Sequence, residues 1–87
     1  MTRYTVTIDR PAQKQLRAVR DVRLRATLER EILSLADNPR PPGCLKLVGQ
    51  KDHWRVRVGD WRIVYRIEDG RLVVVVIRVA PRSGVYG

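Results

Sequence analysis

The stretch WRVRVGDWRIVYR, residues 54–66, decides the fold because it predicts two antiparallel strands joined by a tight turn. The arms cover Trp54–Val58 and Trp61–Ile67, and aromatic or β-branched residues occupy alternate positions in both. Gly59 and Asp60 form the centre of the turn, because glycine readily adopts the positive φ angle that two-residue hairpin loops require. The stretch therefore predicts a β-hairpin with one apolar face.

The other face of this hairpin carries arginine. Side chains alternate between the two faces of a strand, so Arg55 and Arg57 share one face of the first arm. In the same way, Arg62 and Arg66 share one face of the second arm. Arginine binds phosphate through two parallel N–H donors and also stacks on bases. The pattern predicts a basic sheet face that binds a polyanion.

The residues before the hairpin predict one strand and two helices. Apolar and polar residues alternate over Arg3–Ile8, which predicts a half-buried strand. Asp9 is a suitable N-cap and Pro11 suits a first helical turn, so a helix is expected from there to about Val19. A second helix is expected over about Val22–Ala36, where leucine and isoleucine recur at helical spacing.

Further strands are expected on both sides of the hairpin. The prolines of NPRPPG, residues 38–43, predict a loop, and a short strand is expected over Leu45–Val48. The Asp-Gly pair at residues 69–70 predicts a second hairpin turn. Valine and isoleucine fall on both faces of Arg71–Val79, which predicts a central strand covered above and below, and Pro81 is expected to end it.

The order of elements predicts an α+β fold. It is β-α-α-β-β-β, with a further short strand as an option, and its sheet is expected to be mostly antiparallel. Both N-terminal helices are expected to pack on one side of that sheet. The 87 residues are enough for one small domain, which we assign to residues 1–87.

Composition points to an acidic partner. The chain has 18 basic and nine acidic residues, a formal charge of +9, and 15 of its basic residues are arginine. A domain this basic is expected to bind nucleic acid, or else an acidic protein. The competing interpretation is an arginine-rich protein from a GC-rich genome. The longest apolar run, Leu72–Ile77, is far too short to span a membrane, and we expect a cytoplasmic protein with no membrane partner.

Several chemistries are disfavoured by what the chain lacks. His53 and Cys44 are its single histidine and single cysteine and lie on different segments, so no metal site is predicted. No glycine-rich phosphate loop precedes a helix, and nothing places a serine near His53 for a catalytic triad. Glu68 and Asp69 are adjacent at a predicted turn, where solvated side chains are expected.

RNA cleavage remains possible without a metal, because the 2′-hydroxyl of RNA is itself a nucleophile. The protein then has to hold the phosphate in line, stabilise the anionic transition state and transfer protons. Arginine suits the first two tasks but not proton transfer, because its pKa lies above ~12. Tyr86 is a candidate proton donor to the leaving oxygen, as a phenol of pKa about 10 beside cations that lower it.

Two stretches resemble the RelE/ParE superfamily of toxins from type II toxin–antitoxin modules. They are LVGQKDHWRVRVGDWRIVYRIEDG, residues 47–70, and VVVVIRVAPRSGVY, residues 73–86. The order of elements is also similar to that family. The resemblance covers nearly the whole chain and is strongest from Leu45 to Tyr86.

The resemblance implies a metal-independent mRNA interferase without a cofactor, which cuts mRNA in the ribosomal A site. Its implied partners are the 70S ribosome with mRNA and ribosomal RNA, and a RelB-like antitoxin with which it would form a hetero-oligomer. The family's site residues fall on five positions of this chain: Arg55, Arg57, Arg62, Arg82 and Tyr86.

This chain departs from the best-studied family pattern at two points. Arginines replace lysines at Arg55 and Arg57, and Pro81 stands where many relatives have histidine. A crowded lysine can act as a base and arginine cannot, so the general base stays open. His53, two residues before Arg55, is one candidate, and a surface histidine without a catalytic role is the alternative.

Other basic residues are candidates for RNA contacts. Lys46 and Lys51 flank the active strand and suit phosphate binding. On the first helix, Lys14, Arg17 and Arg20 either contact ribosomal RNA or form a solvated face. For Trp54, Trp61, Tyr65 and Tyr4 we expect packing roles, and an ion pair with Glu68 or Asp69 is an alternative role for Arg66.

Two other functions fit the same fold. A ParE-like toxin would inhibit DNA gyrase without nuclease activity, although that branch generally lacks the pair that Arg82 and Tyr86 would form. An inactive RNA-binding relative is the other alternative, because both lysines of the family pattern are absent.

Overall fold

A five-stranded sheet with two helices on one face forms the part of the chain described by the computed structural model, residues 3–81. The elements in chain order are β1 (Thr5–Ile8), α1 (Arg10–Arg17), α2 (Val22–Ser34), β2 (Leu45–Lys46), β3 (His53–Val58), β4 (Trp61–Glu68) and β5 (Val73–Pro81). Across the sheet the order is β1-β5-β4-β3-β2, with β1 parallel to β5 and the other neighbours antiparallel. The predicted α+β class and the mostly antiparallel sheet are confirmed.

The predicted hairpin forms β3 and β4. Val58 is paired with Trp61, so Gly59 and Asp60 are the two loop residues. Gly59 has a φ of 59°, and no other residue of this turn has a positive φ, which matches a type II′ turn. The turn sets the register, which places Arg57 opposite Arg62.

Both helices begin after an aspartate that caps them, and of these two caps Asp9 was predicted. The side chain of Asp9 accepts a hydrogen bond from the Ala12 amide at 3.1 Å, and Asp21 accepts two from the start of α2. Each cap is worth about 1 kcal/mol. The helices end two residues earlier than predicted, because the amides of Val19 and Leu35 bond three residues back and tighten the last turn.

The core lies between the helices and one face of the sheet. The largest fully buried side chains there are Tyr65, Leu28, Ile32, Leu35, Ile63, Ile67, Val74, Val76 and Val79. The hydroxyl of Tyr65 donates to the Pro39 carbonyl at 2.8 Å, which ties the proline-rich loop to the core. The expected packing roles of Trp54, Trp61, Tyr65 and Tyr4 are confirmed, since all four contact the core cluster.

The prediction that β5 is covered on both faces is wrong for the described residues. Val74 and Val76 are buried, whereas Val73, Val75 and Ile77 are only partly buried because no helix packs on their side. The strand extends two residues beyond Val79 to Pro81, which pairs with Trp61 and is its last residue, as expected. As the last residue of its strand, proline needs no further ladder partner.

A bulge interrupts the pairing of β4 with β5. Tyr65 pairs with Val76 and Val64 pairs with Arg78, so Ile77 is an extra residue. A bulge of this kind reverses the facing of the residues that follow it. Arg78 is exposed as a result, although strict alternation from Val74 and Val76 would have turned it toward the core.

The connection between β4 and β5 is not the predicted two-residue turn. Residues Asp69–Arg71 form a short 3-10 helix, and Leu72 follows with a φ of 55°. The carboxylate of Asp69 explains the longer path, because it is bound to Arg40 at 2.8 Å and to the Tyr4 hydroxyl at 2.6 Å. Arg40 also lies over the Trp54 ring, 5.1 Å from its centroid.

Candidate functional site

A pocket of about 370 Å³ opens on the sheet face opposite the helices. Three arginines, one histidine and one glutamine line it together with five apolar residues. They are Arg55, Arg62, Arg78, His53, Gln50, Leu47, Val64, Ile77, Ala80 and Pro81. No carboxylate is among the described lining residues, so the charge of this pocket is entirely positive.

Arg55 and Arg62 are the two hairpin arginines that line this pocket. Arg55 pairs with Val64 across the hairpin, and only 9% of its surface is exposed. Arg62 is partly buried, and its Nε has no hydrogen-bond partner within residues 3–81. An unpaired buried donor is costly and is normally satisfied by a partner. The Nε of Arg62 is thus an unsatisfied polar atom in the wall of the pocket.

Arg57 shares the sheet face with Arg55, as the alternation predicted, but lies nearer the hairpin turn and is exposed. It stands directly opposite Arg62, so two cations meet across the strands. Arg82 and Tyr86, the other two predicted catalytic residues, lie outside the described residues.

The predicted RNA-contacting residues fall into two groups. Lys46 on β2 and Lys51 in the loop before β3 are exposed, and the pairing of Lys46 with Trp54 puts Lys46 on the sheet face opposite Arg55. Lys14 and Arg17 of α1, and Arg20 after it, are also exposed. They belong to the helical side, because the neighbouring Leu16 and Val19 are buried in the core. The structure therefore does not bring the helical group together with the pocket.

Carboxylates beside the hairpin are neutralised away from the pocket. Arg66 donates to Glu68 at 2.7 Å, which confirms the predicted ion pair and lowers the pKa of the Glu68 carboxyl. Hydrogen bonds from Arg40, and then from Tyr4, lower the pKa of Asp69 in the same way. These charges are balanced locally and leave the positive field of the pocket in place.

Sequence reasoning did not single out Arg78, Gln50 or Leu47 as pocket residues. The sequence around Arg78 contains one usable signal: Arg78 is charged, yet it follows the buried Val74 and Val76 at the two-residue spacing of one strand face. Such a break in alternation indicates a bulge. No such signal exists for Gln50 and Leu47, because their positions in the pocket depend on the conformation of the loop after β2.

Two other properties of residues 3–81 bear on the kind of site. No cluster of three or more histidine, cysteine, aspartate or glutamate side chains suited to a metal ion occurs in that range. Neither of its helices is both long and apolar enough to cross a membrane.

Comparison with known proteins decides the family. Residues 6–86 match the family model described as the ParE toxin of the type II toxin–antitoxin system, parDE. The chain belongs to the RelE/ParE superfamily of toxins. No curated protein sequence matches this toxin significantly.

Solved structures of toxins from this superfamily share the fold. The archaeal RelE–RelB complex from Pyrococcus horikoshii has a TM-score of 0.81 and 26% identity, covering 98% of this chain and 100% of that chain. The RelBE2 toxin–antitoxin complex from Mycobacterium tuberculosis has a TM-score of 0.81 and 27% identity, covering 95% of each chain. The isolated RelE toxin from E. coli has a TM-score of 0.79 and 26% identity, covering 94% of this chain and 87% of that chain.

Proposed function

We propose that this toxin is an endoribonuclease that cleaves mRNA in the ribosomal A site through attack of the RNA's own 2′-hydroxyl. The observation that carries the proposal is the pocket, in which three arginines converge and no described carboxylate competes for them. The likeness to RelE toxins, which the chain matches over more than nine tenths of its length, supports the same activity. No metal and no cofactor take part in the proposed reaction.

The pocket suits the transition state better than it suits a neutral ligand. Attack on phosphorus produces a crowded, doubly charged phosphorane, and arginine forks stabilise that charge through charge-assisted hydrogen bonds. Arg55 is preorganised for this role because it is largely withdrawn from solvent, so little water has to be removed when the phosphate arrives. Arg62, the other arginine of the hairpin that lines the pocket, is assigned to a second phosphate oxygen.

The remaining roles fall on residues nearer the rims of the site. Arg57 is assigned to the neighbouring phosphate, because it is exposed on the same face. Arg82 follows the lining residue Pro81 in the sequence and is assigned to the scissile phosphate. Tyr86 is assigned as the acid that protonates the leaving 5′-oxygen. Lys46, Lys51 and the helical group of basic residues are assigned to RNA phosphates around the A site.

A RelB-like antitoxin is the proposed partner outside the ribosome. The P. horikoshii and M. tuberculosis relatives are complexes of a RelE toxin with an antitoxin. This chain has the same fold and a formal charge of +9, so an inhibitor with acidic residues over the pocket would neutralise it. We expect a toxin–antitoxin hetero-oligomer in which the pocket is covered.

Inhibition of DNA gyrase is the second candidate, because the matching family model is that of ParE toxins. Induction of the toxin in cells separates the two functions. Cleavage predicts new mRNA 5′ ends phased to codons in a primer-extension map. Intact mRNA together with DNA breaks and an SOS response would favour gyrase instead.

A purified system tests the pocket directly. Wild-type toxin is mixed with 70S ribosomes carrying a defined mRNA codon in the A site, and cleavage is followed in a single turnover. Arg55→Ala is expected to slow cleavage by roughly 10²–10³-fold, the usual effect of removing one electrostatic contact to the transition state. Arg30→Ala, which removes an exposed arginine of α2, is the matched control and should cleave at the wild-type rate. Equal rates for Arg55→Ala and wild type would reject the pocket as the site.

A further inference from the structure

The pocket's arginines leave one task of the cleavage reaction without a residue. The 2′-hydroxyl must lose its proton as it attacks, and arginine stays protonated at every physiological pH. Gln50 and the apolar lining residues have no group that titrates. Within residues 3–81, His53 is therefore the one lining residue whose side chain offers a ring nitrogen that can accept a proton.

The hydrogen bond made by His53 determines which of its nitrogens is available. Its Nδ1 lies 2.7 Å from the carbonyl oxygen of Lys51. A carbonyl oxygen only accepts, so Nδ1 must carry the proton of the neutral ring. This leaves Nε2 unprotonated, with a lone pair that can accept a proton. The contact also restrains the rotation of the ring, as orienting groups do for catalytic histidines.

The backbone of His53 is held on both sides. As the first residue of β3 it pairs with Arg66 of β4, and its carbonyl accepts from the Leu47 amide at 2.9 Å. It lies two residues before Arg55, so both side chains face the pocket. A residue fixed in this way by the sheet is positioned as a catalytic group needs to be.

The geometry points to His53 as the general base of the cleavage reaction, an assignment that rests on the proposed function. Nε2 takes the 2′-hydroxyl proton while the 2′-oxygen forms its bond to phosphorus. The bond from phosphorus to the 5′-oxygen then breaks, and that oxygen takes a proton from the acid, for which Tyr86 is proposed. The products are a 2′,3′-cyclic phosphate and a 5′-hydroxyl end, and the imidazolium returns its proton to water.

The charged groups around His53 come from every neighbouring element. They are Lys51 and Asp52 of the preceding loop, Arg55 of β3, Arg62 and the ion pair of Arg66 with Glu68 on β4, and Arg78 of β5. Lys46 of β2 pairs with Trp54 on the other face of the sheet. Cations predominate, so a scissile phosphate is drawn to the position where the histidine can reach its 2′-hydroxyl.

Replacement by asparagine tests the role of the base separately from the structural one. The amide nitrogen of His53→Asn can still donate to the Lys51 carbonyl, but the variant has no proton acceptor in place of Nε2. We expect single-turnover cleavage on the ribosome to slow by roughly 10²–10⁴-fold, the range for general acid–base groups. The fall in rate at acidic pH, which reports the protonated base of the wild type, should disappear. Glu29→Gln, on the exposed side of α2, is the control.

A modified mRNA distinguishes a base from an acid. Sulfur in place of the scissile 5′-oxygen leaves without a proton, so this substrate no longer needs the acid. His53→Asn should stay slow on the thio substrate, whereas Tyr86→Phe should approach the wild-type rate. Binding of an uncleavable 2′-deoxy mRNA and the thermal midpoint should match the wild type. If His53→Asn fails to fold, His53→Gln is measured in the same way.

The outcomes separate the two proposals. A wild-type protein that leaves A-site mRNA intact overturns the proposed function and the assignment of His53 with it. A wild type that cleaves, together with an asparagine variant of equal rate and unchanged pH profile, overturns the assignment alone. Recovery of His53→Asn on the thio substrate would also overturn it, because that result would make His53 the acid.

Discussion

Arg62 allows a prediction in which stability and activity change in opposite directions. Its Nε is buried and unpaired within the described residues, and Arg62 is paired directly with Arg57 across the strands. Methionine has an unbranched apolar side chain that can occupy the same path without a donor or a charge. We expect Arg62→Met to stabilise the fold and to abolish most of the cleavage activity.

The magnitude follows from two terms. An unsatisfied buried donor costs about 1–3 kcal/mol, and like charges directly opposite each other cost roughly 0.2–1 kcal/mol. Some packing of the arginine stem is lost in exchange, so we expect a net gain of about 1 kcal/mol. For a domain of this size, that gain raises the thermal midpoint by roughly 4–8 °C. Cleavage should fall by roughly 10²–10³-fold.

The assay is thermal and urea unfolding at fixed protein concentration, followed by the fluorescence of Trp54 and Trp61. Arg57→Met is the matched control, because it removes the same cross-strand repulsion from an exposed position. The excess stability of Arg62→Met over Arg57→Met therefore measures the buried donor. At about 1 M salt the repulsion is screened and the excess should persist. An Arg62→Met protein no more stable than Arg57→Met would refute the reasoning.

Two further predictions concern the loop and the β4–β5 connection. Tyr65→Phe leaves the buried Pro39 carbonyl without its hydrogen-bond donor, so it should lower the free energy of unfolding by about 1–2 kcal/mol. Urea titration measures this change, with Val64→Ala on the open sheet face as the comparison. An unchanged urea midpoint would show that this hydrogen bond does not stabilise the fold. Hydrogen bonds from Arg40 and Tyr4 lower the pKa of Asp69, so its stabilising effect is complete above about pH 4 and is lost as the pH falls through the lowered value. The stability of Asp69→Asn should therefore depend less steeply on pH in the acid range than that of the wild type. Identical acid unfolding curves for the two proteins would contradict this prediction.

Much of the fold was predictable because its signals are local. The Gly59-Asp60 turn, the alternation along both hairpin arms and the Asp9 cap each act over a few residues, and each was confirmed. Predictions that depended on distant partners fared worse. The connection after β4 was predicted as a tight turn, yet Arg40 and Tyr4, far away in sequence, hold Asp69 in a 3-10 helix.

The candidate site shows the same division. Alternation placed Arg55, Arg57 and Arg62 on one face, and the structure agrees. Continued from Val74 and Val76, the same alternation would turn Arg78 toward the core. The bulge at Ile77 exposes Arg78 instead, because the register of β5 is set by its pairing with β4. Gln50 and Leu47 reach the pocket through the path of the loop after β2, which no short-range pattern encodes.

By itself, the sequence determined which hairpin side chains share a face and how much positive charge they carry. Strand periodicity is a property of the backbone of each strand, so it can be counted along the chain. Only the tertiary structure decided that His53, Arg62 and Arg78 meet in one pocket with Arg55. Their meeting depends on strand register, a bulge and a loop conformation, and these are set by long-range pairing and packing rather than by neighbours in sequence.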